Sequence, residues 1–398
     1  MRTSTDGKLA EVFSAFLKLG LTSFGGPIAH LGYFRDELVL RRRWIDEAAY
    51  ADLVALCQFL PGPASSQVGF SLGILRGGGL AGGLAAFAGF TLPSALLLVA
   101  VALGAGAAPG PLAAGVLHGL KLVAVAVVAQ AVWGMARTLA PDRPRAGLGL
   151  AALWLVVLLP GAAGQLGAIA LGAAGGLLLC RGPGAGSGHA AAFPVSRRTG
   201  LASLALFAAL LVLPGFLAAL TGSGALAAFD AFYRAGALVF GGGHVVLPLL
   251  QASLVGPGFV TTDAFLAGYG AAQAVPGPLF TVAAYLGAVL QGAPGGVPGA
   301  ALALAAIFLP GLLLVLGTLP FWDALRARPG AQAAMRGTNA AVVGILAAAL
   351  HDPVWTSSVH SPRDMAVAAT GFVLLTVGRA PPWLVVLLSA AAGARLGP

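Results

Sequence analysis

Long apolar runs recur from one end of the chain to the other. About 20 such residues form a helix long enough to cross the ~30 Å hydrocarbon core of a bilayer. Only 9% of the residues are charged and 58% are hydrophobic, which excludes a soluble enzyme or a secreted domain. The sequence therefore predicts an all-α polytopic membrane protein. The thirteen apolar or amphipathic segments are 9–31, 46–75, 80–108, 111–139, 147–160, 164–180, 201–220, 227–255, 261–290, 296–320, 332–350, 364–378 and 381–394.

Three sequence blocks recur in the same order, 215 to 217 positions later. A nearly constant offset over three blocks indicates an internal duplication. We predict an N-terminal repeat at 1–180, a linker plus one connecting transmembrane helix at 181–226, and a C-terminal repeat at 227–398. The matching blocks are Phe13-x-x-Phe16-x-Lys18-x-Gly20-x-x-x-Phe24-Gly25-Gly26 with Phe229-x-x-Phe232-x-Arg234-x-Gly236-x-x-x-Phe240-Gly241-Gly242, Gln58-x-x-Pro61-Gly62-Pro63 with Gln273-x-x-Pro276-Gly277-Pro278, and Thr91-Leu92-Pro93 with Phe308-Leu309-Pro310.

The number of membrane crossings between equivalent positions sets the relative orientation of the repeats. It is seven if every segment crosses, and five if the first two segments of each repeat are re-entrant. Both numbers are odd, so the second repeat is predicted to be inverted, as in many secondary transporters. By the positive-inside rule the re-entrant arrangement misplaces only Arg363 and Arg395, whereas full crossing misplaces Arg35 and residues 41–43. We therefore predict nine full spans, four broken elements and a cytoplasmic N-terminus.

Glycine and proline interrupt the first two segments of each repeat. Non-helical backbone at membrane depth is tolerated where protein buries it or where it lines a watery cavity. At the first PGP motif (61–63) two half-helices are predicted to meet, with Ser65, Ser66 and Gln67 in the first turn of the second one. Free amides and the helix dipole favour an anion there. The second PGP motif (276–278) is followed instead by Phe280 and Thr281.

Two cations, Lys18 and Arg234, occupy equivalent positions inside apolar segments. A cation costs about 3 kcal/mol at a helix centre unless it finds a partner or water, so we interpret this pair as facing a dianion; snorkelling is the alternative. His30, His244 and Lys121 are possible proton or secondary sites, and each histidine also fits a structural role. The predicted substrate-binding set is Lys18, Ser23, Gly25, Gly26, Gln58, Pro61, Gly62, Pro63, Ser65, Ser66, Gln67, Arg234, Gly241, Gly242, Gln273, Pro276, Gly277 and Pro278.

Several functional classes are disfavoured. The net charge of +9 fits cationic membrane loops better than a nucleic-acid surface, so no nucleic-acid partner is expected. Two cysteines, Cys57 and Cys180, do not form a disulfide framework. No P-loop or metal-ligand spacing is present, so no cofactor or metal is expected and the chain is not predicted to be an enzyme.

The first repeat resembles the chromate ion transporter family, long two-domain type. The resemblance is close over residues 10–100, and a weaker second copy spans 227–311. It implies a multi-pass transporter of a bacterial or archaeal inner membrane that exports chromate, with sulfate as a related oxyanion. The second repeat departs from the first at two places. Gly243 follows its FGG where Pro27 follows the first one, and residues 279–282 differ from Ala64-Ser65-Ser66-Gln67. The resemblance rests on the FGGP block, Arg41-Arg42-Arg43-Trp44, Tyr50-Ala51-Asp52-Leu53 and the run Cys57-Gln58-Phe59-Leu60-Pro61-Gly62-Pro63-Ala64-Ser65-Ser66-Gln67.

The leading hypothesis is chromate efflux by alternating access, with the broken helices forming an oxyanion site near the bilayer midplane. A proton-coupled sulfate carrier using His30, His244 or Asp230 is a second hypothesis, and anion exchange is compatible with the same pattern. A lipid-phosphate enzyme using Asp46, Glu47 and Asp52 and a passive anion channel are weaker alternatives. A homodimer is possible, but the sequence determines neither the oligomeric state nor the coupling ion.

Overall fold

The computed structural model describes residues 5–23, 26–107, 111–159, 162–180, 193–240, 246–322 and 328–396, and every regular element in these ranges is helical. The α-helices are α1 (Thr5–Thr22), α2 (Gly26–Phe34), α3 (Glu47–Phe59), α4 (Ala64–Gly77), α5 (Leu80–Ala107), α6 (Pro111–Leu139), α7 (Arg143–Leu158), α8 (Ala162–Leu179), α9 (Arg197–Thr221), α10 (Gly224–Ala237), α11 (Val246–Leu254), α12 (Thr262–Ala272), α13 (Val282–Ala288), α14 (Gly296–Thr318), α15 (Pro329–Ala349), α16 (Pro362–Thr376) and α17 (Pro382–Leu396). Two π-helices, Arg35–Arg41 and Leu350–Trp355, extend α2 and α15, and two 3-10 turns cover Leu279–Thr281 and Leu319–Phe321.

Among the described residues, five helices are long and apolar enough to cross a membrane. The predicted multi-pass membrane protein is therefore confirmed, while the number of full crossings stays a prediction. Only 6% of the apolar window in α9 is buried, which fits the connecting transmembrane helix expected between the repeats. The five candidate spans are Leu80–Gly104, Ala114–Leu139, Arg197–Thr221, Gly296–Phe321 and Pro329–Trp355.

The helix packing repeats between the two halves. In the first half α1 and α4 pack against α5, and in the second half α10 and α13 pack against α14. Equivalent glycines allow these contacts: a Cβ on Gly20 would lie 2.7 Å from the carbonyl oxygen of Gly89, and one on Gly236 would lie 2.1 Å from that of Ile307. Small residues permit such close helix approach. The duplication seen in the sequence is therefore also a duplication of structure.

The last helices of each half pack against the other half. The pair α7 and α8 packs on α15, and the pair α16 and α17 packs on α6. A Cβ on Gly337 would lie 2.0 Å from the carbonyl oxygen of Gly172, and one on Gly119 would lie 2.2 Å from that of Ser389. The two halves therefore interlock.

The helices are interrupted at the predicted motifs. Helix α3 ends at Phe59 and α4 begins at Ala64, on either side of the first PGP motif. Helix α12 ends at Ala272, before the second PGP motif, and α1 ends at Thr22, before the first FGG. The interruptions are confirmed, and their re-entry into the membrane stays a prediction. Gly25, Gly241, Gly242 and His244, together with most of the linker, lie outside the described residues.

Candidate functional site

Each PGP motif is hydrogen-bonded to the other repeat at the residue that precedes its FGG block. The amide N–H of Gly62 donates to the carbonyl oxygen of Val239 at 2.7 Å, and that of Gly277 donates to the carbonyl oxygen of Ser23 at 2.9 Å. Ser23 and Val239 are equivalent positions of the duplication. Both glycines have positive φ, 120° and 100°, a backbone region that glycine adopts without steric cost. The interruptions of one repeat therefore contact those of the other.

The third duplicated block meets the PGP motifs across the same boundary. A Cβ on Gly62 would lie 3.0 Å from the Cα of Gly311, and one on Gly277 would lie 2.9 Å from the Oγ of Ser94. Gly311 and Ser94 are themselves equivalent, because each follows the proline of the third block. All three duplicated blocks thus converge on one region between the repeats.

The N-terminus of α4 opens onto this region. Its N-cap residue, Pro63, makes no side-chain capping hydrogen bond, so first-turn amides keep free N–H groups at the positive end of the helix dipole. Ser65, Ser66 and Gln67 in this turn are all buried. The Nε2 of Gln67 donates to the carbonyl oxygens of Pro61 and Gly311, each at 3.0 Å, and so joins the two repeats.

Buried polar atoms without a hydrogen-bond partner among the described residues are concentrated around this helix terminus. His30 connects the α4 terminus to the second PGP motif. Its Nδ1 lies 3.4 Å from the Oγ of Ser65, and its ring packs against Phe90. The carbonyl of Phe90 in turn lies beside Gly277. Because buried polar atoms are normally paired, this concentration indicates a place for a ligand. The atoms are Ser23 Oγ, His30 Nε2, Ser66 Oγ, Gln67 Oε1, Thr91 Oγ1 and Gln273 Nε2.

The second repeat has no equivalent of the α4 terminus among its described residues. A 3-10 turn, Leu279–Thr281, precedes the seven-residue helix α13. The Oγ1 of Thr281 donates to the carbonyl oxygen of Pro278 at 2.6 Å, so this hydroxyl is already used. Phe280 packs against Phe308 at 5.7 Å between ring centroids. The candidate site is therefore asymmetric, with most of its polar atoms on the first repeat.

Comparison with known proteins decides the family. The family model for chromate transporters matches residues 10–180 and 226–394. The chain belongs to the chromate transporter family. It is 29% identical to a probable chromate transport protein of Synechococcus elongatus, over 97% of this chain and 95% of that protein. It is 30% identical to a chromate transport protein of Pseudomonas aeruginosa, over 96% of this chain and 90% of that protein. No solved structure matches the chain.

The two cations predicted to face an anion are both ion-paired in this member of the chromate transporter family. Lys18 Nζ lies 2.9 Å from Glu37, and Arg234 Nε lies 2.7 Å from Asp230. Each carboxylate belongs to the same repeat as its cation. The described contacts therefore do not support the expectation that Lys18 and Arg234 share one anion, because each charge is already balanced nearby.

Glu37 carries three ion pairs. Lys18, Arg41 and Arg42 all contact its carboxylate within 2.9 Å, and its side chain is 8% exposed. Burial by itself would raise the pKa of Glu37, but hydrogen bonds from Lys18, Arg42 and Arg41 lower it to about 2. The carboxylate stays ionised at neutral pH and ties α1 to the π-helix that follows α2.

The remaining predicted residues differ in exposure and in the partners that they contact. Gln58 is exposed on α3, and Lys121 forms a 2.9 Å ion pair with Asp263. Asp46 caps α3, while Asp52 accepts a hydrogen bond from Trp322. No group of three or more His, Cys, Asp or Glu residues in the described part of the chain is arranged to hold a metal.

Two hydroxyl residues of the site, Thr91 and Ser94, are absent from the predicted set. Both are buried on α5, and Ser94 contacts the second PGP motif. The signal that could have found them is the third duplicated block, which contains Thr91 and immediately precedes Ser94. In the sequence this block indicated the duplication, but its pattern assigned no role to these hydroxyls.

Proposed function

We propose that this protein transports chromate across the membrane and binds it at the N-terminus of α4, between the repeats. The observation that carries the proposal is the group of unpartnered buried polar atoms where the three duplicated blocks meet. Free helix amides and hydroxyl groups bind a tetrahedral oxyanion through its oxygen atoms. Membership of the chromate transporter family, and relatives named as chromate transport proteins, support chromate as the substrate.

The anion is held by hydrogen-bond donors rather than by a free cation. The hydroxyls of Ser23, Ser66 and Thr91, together with Gln273 Nε2, offer donors without described partners. The backbone around these donors is shaped by Gly26, Gly62, Gly277 and the four PGP prolines. The proposal also keeps Gly25, Gly241 and Gly242 in the substrate-binding set. Lys18 and Arg234 act at a distance in this proposal, since both have carboxylate partners.

Transport proceeds by alternating access in an inverted repeat. The hydrogen bonds from Gly62 to Val239 and from Gly277 to Ser23 lie at equivalent positions, so the two repeats hold each other in equivalent ways. Opening toward one side would break a single one of these hydrogen bonds and keep the other. In this proposal the N-terminus is cytoplasmic, as the distribution of basic residues favours. The inner membrane of a bacterium or archaeon follows from the family.

Export is the favoured direction. With the inside negative by roughly 150 mV, moving a dianion outward gains about 7 kcal/mol at ~2.3 kcal/mol per charge per 100 mV, so no driving cation is required. Uptake of sulfate would need a coupled ion. Sulfate has the charge and shape of chromate. A sulfate carrier is therefore the second candidate function, and the same experiment tests it.

The experiment is radiolabelled chromate movement in everted membrane vesicles that carry the wild type or Ser66→Ala. Ser71→Ala is the matched control: it lies on the same helix, but its hydroxyl is bonded to the carbonyl oxygen of Gln67 at 2.8 Å. We expect inward movement in the wild type and in Ser71→Ala. Ser66→Ala should lose affinity by about tenfold or more, since it removes a hydrogen bond to a charged ligand.

Three results would count against the proposal. Movement no greater than in empty vesicles would remove chromate as the substrate. Transport of sulfate alone would assign the site to the second candidate. Equal losses in Ser66→Ala and Ser71→Ala at equal protein abundance would move the anion away from the α4 terminus.

A further inference from the structure

An open cavity of 660 Å³ lies at the arginine-rich end of the first repeat, apart from the site described above. It is bounded by the π-helix Arg35–Arg41, the start of α3 and the end of α4. Its volume falls in the range of pockets that hold organic ligands. The residues that matter for its chemistry are the apolar Leu40, Ile45 and Leu75 and the charged Arg43, Asp46 and Glu47.

Arg43 is the unassigned charge at this cavity. Its neighbours Arg41 and Arg42 pair with Glu37, and Arg35 pairs with Glu47. Arg43 itself is exposed and makes no ion pair or hydrogen bond with the residues that the structure describes. Its φ is 52°, a left-handed conformation that is uncommon for an arginine. Its guanidinium is therefore unpaired among the described residues and lies at the cavity, where a ligand can reach it.

An anionic group faces the same cavity. The Oδ1 of Asp46 accepts a 2.8 Å hydrogen bond from the amide of Ala49 and caps α3, which leaves its Oδ2 without a partner in the described part of the chain. The cavity therefore presents Arg43 and Asp46 as its unpaired charges within the described ranges, beside an apolar wall, while Glu47 is paired with Arg35. Leu40 in that wall is 53% exposed, so the wall continues onto the outer surface of the protein.

We infer that this cavity binds the headgroup of a zwitterionic phospholipid with a primary amine, of the phosphatidylethanolamine type. The phosphate would accept hydrogen bonds from the guanidinium of Arg43, and the ammonium would donate to Oδ2 of Asp46. The acyl chains would leave along Leu40 and Leu75. A free oxyanion fits poorly, because Asp46 and Glu47 repel it and the apolar wall offers it no donor.

The two charged groups also predict the headgroup preference. Phosphatidylglycerol has the phosphate but no cation for Asp46. Phosphatidylcholine has a cation, but its quaternary ammonium has no N–H to donate. We therefore expect phosphatidylethanolamine to bind about tenfold more tightly than either lipid at matched acyl chains.

The test is lipid binding to the purified full-length protein, measured by native mass spectrometry and by lipid-induced thermal stabilisation. The informative variants are Arg43→Asn and Asp46→Asn. Asparagine tolerates a left-handed backbone and is a good N-cap residue, so both changes remove charge with little effect on folding. Arg379→Asn is the matched control, because Arg379 is also exposed and has a φ of 50° but does not line the cavity.

We expect each cavity variant to lower phosphatidylethanolamine affinity about tenfold and the control to leave it unchanged. Equal binding of the three lipids, or unchanged binding in both cavity variants, would overturn the inference. Displacement of the lipid by millimolar sulfate would assign the cavity to oxyanions instead. None of these results depends on whether chromate is transported.

Discussion

The amide N–H of Gly277 donates a 2.9 Å hydrogen bond to the carbonyl oxygen of Ser23 in the other repeat. The equivalent amide, that of Gly62, donates to the carbonyl oxygen of Val239 at 2.7 Å. Each repeat thus fixes the chain of the other immediately before its FGG block. Because of this reciprocity we expect the backbone at the two PGP glycines to be sensitive to substitution.

Replacement of Gly277 by alanine should impair both folding and transport. The left-handed backbone, with φ of 100°, costs a residue with a Cβ about 1–2 kcal/mol, and the new Cβ would also lie 2.9 Å from Ser94 Oγ. Gly78→Ala is the control, because Gly78 also has a positive φ, 78°, but a Cβ there meets no atom within 4 Å. Thermal unfolding and chromate flux of both variants should show the larger loss at Gly277. Equal losses would mean that the contact with Ser94 is unimportant.

Gln67→Met should weaken the junction between the repeats at the α4 terminus. It leaves the carbonyl oxygens of Pro61 and Gly311 without this donor. An unsatisfied buried group of this kind lowers the stability of the fold by about 1–3 kcal/mol. Gln165→Met is matched, since Gln165 is also buried and donates to the backbone of the other repeat, at Pro248, 3.0 Å away. Both variants should unfold more readily, but only Gln67→Met should raise the chromate concentration for half-maximal flux. A similar rise in both would indicate a general effect of lost stability.

Lys18→Ala tests whether the cation binds the anion or balances Glu37. Because Lys18 is 2.9 Å from Glu37, we expect its loss to change the affinity for chromate by no more than about fivefold, or ~1 kcal/mol. The double variant Lys18→Ala/Glu37→Gln should show a similarly small change in affinity, although its stability should fall because Arg41 and Arg42 lose their partner as well. Complete loss of flux in both, at normal abundance in the membrane, would instead place Lys18 on the substrate.

The stability of the first repeat should depend on Glu37 in a pH-dependent way. Ion pairs lower its pKa from the ordinary value of 4.5 to about 2, so it stabilises the fold above pH 4.5, and this contribution disappears as the pH falls toward 2. Glu37→Gln should cost about 2 kcal/mol at pH 7, once the exposure of Lys18 and Arg41 is allowed for. The free energies of unfolding of the wild type and Glu37→Gln, measured between pH 7 and pH 3, should become more similar as the pH falls. Glu47→Gln, in an exposed pair with Arg35, should cost much less than Glu37→Gln at each of these pH values.

The sequence predicted the helix interruptions well, because the chemistry behind them is local. Proline cannot continue a helix and glycine adopts positive φ, so the PGP motif alone indicates where α3 ends and where α4 presents free amides. The interpretation that Lys18 and Arg234 share one anion was weaker because it left out their carboxylate partners, and only Asp230, four residues before Arg234, is visible from the spacing. Glu37 reaches Lys18 only because the chain reverses after α1, and Asp230 reaches Arg234 through a single helical turn.

By itself, the sequence determined that the chain is helical, apolar, duplicated and broken at fixed motifs, because hydropathy, proline chemistry and repetition are properties of neighbouring residues. Only the tertiary structure decided which motifs meet. The bonds from Gly62 to Val239 and from Gly277 to Ser23, and the exchange of terminal helices between the halves, join positions far apart in the chain. Such contacts are set by the packing of whole helices, since small residues permit a close crossing but do not specify the partner helix.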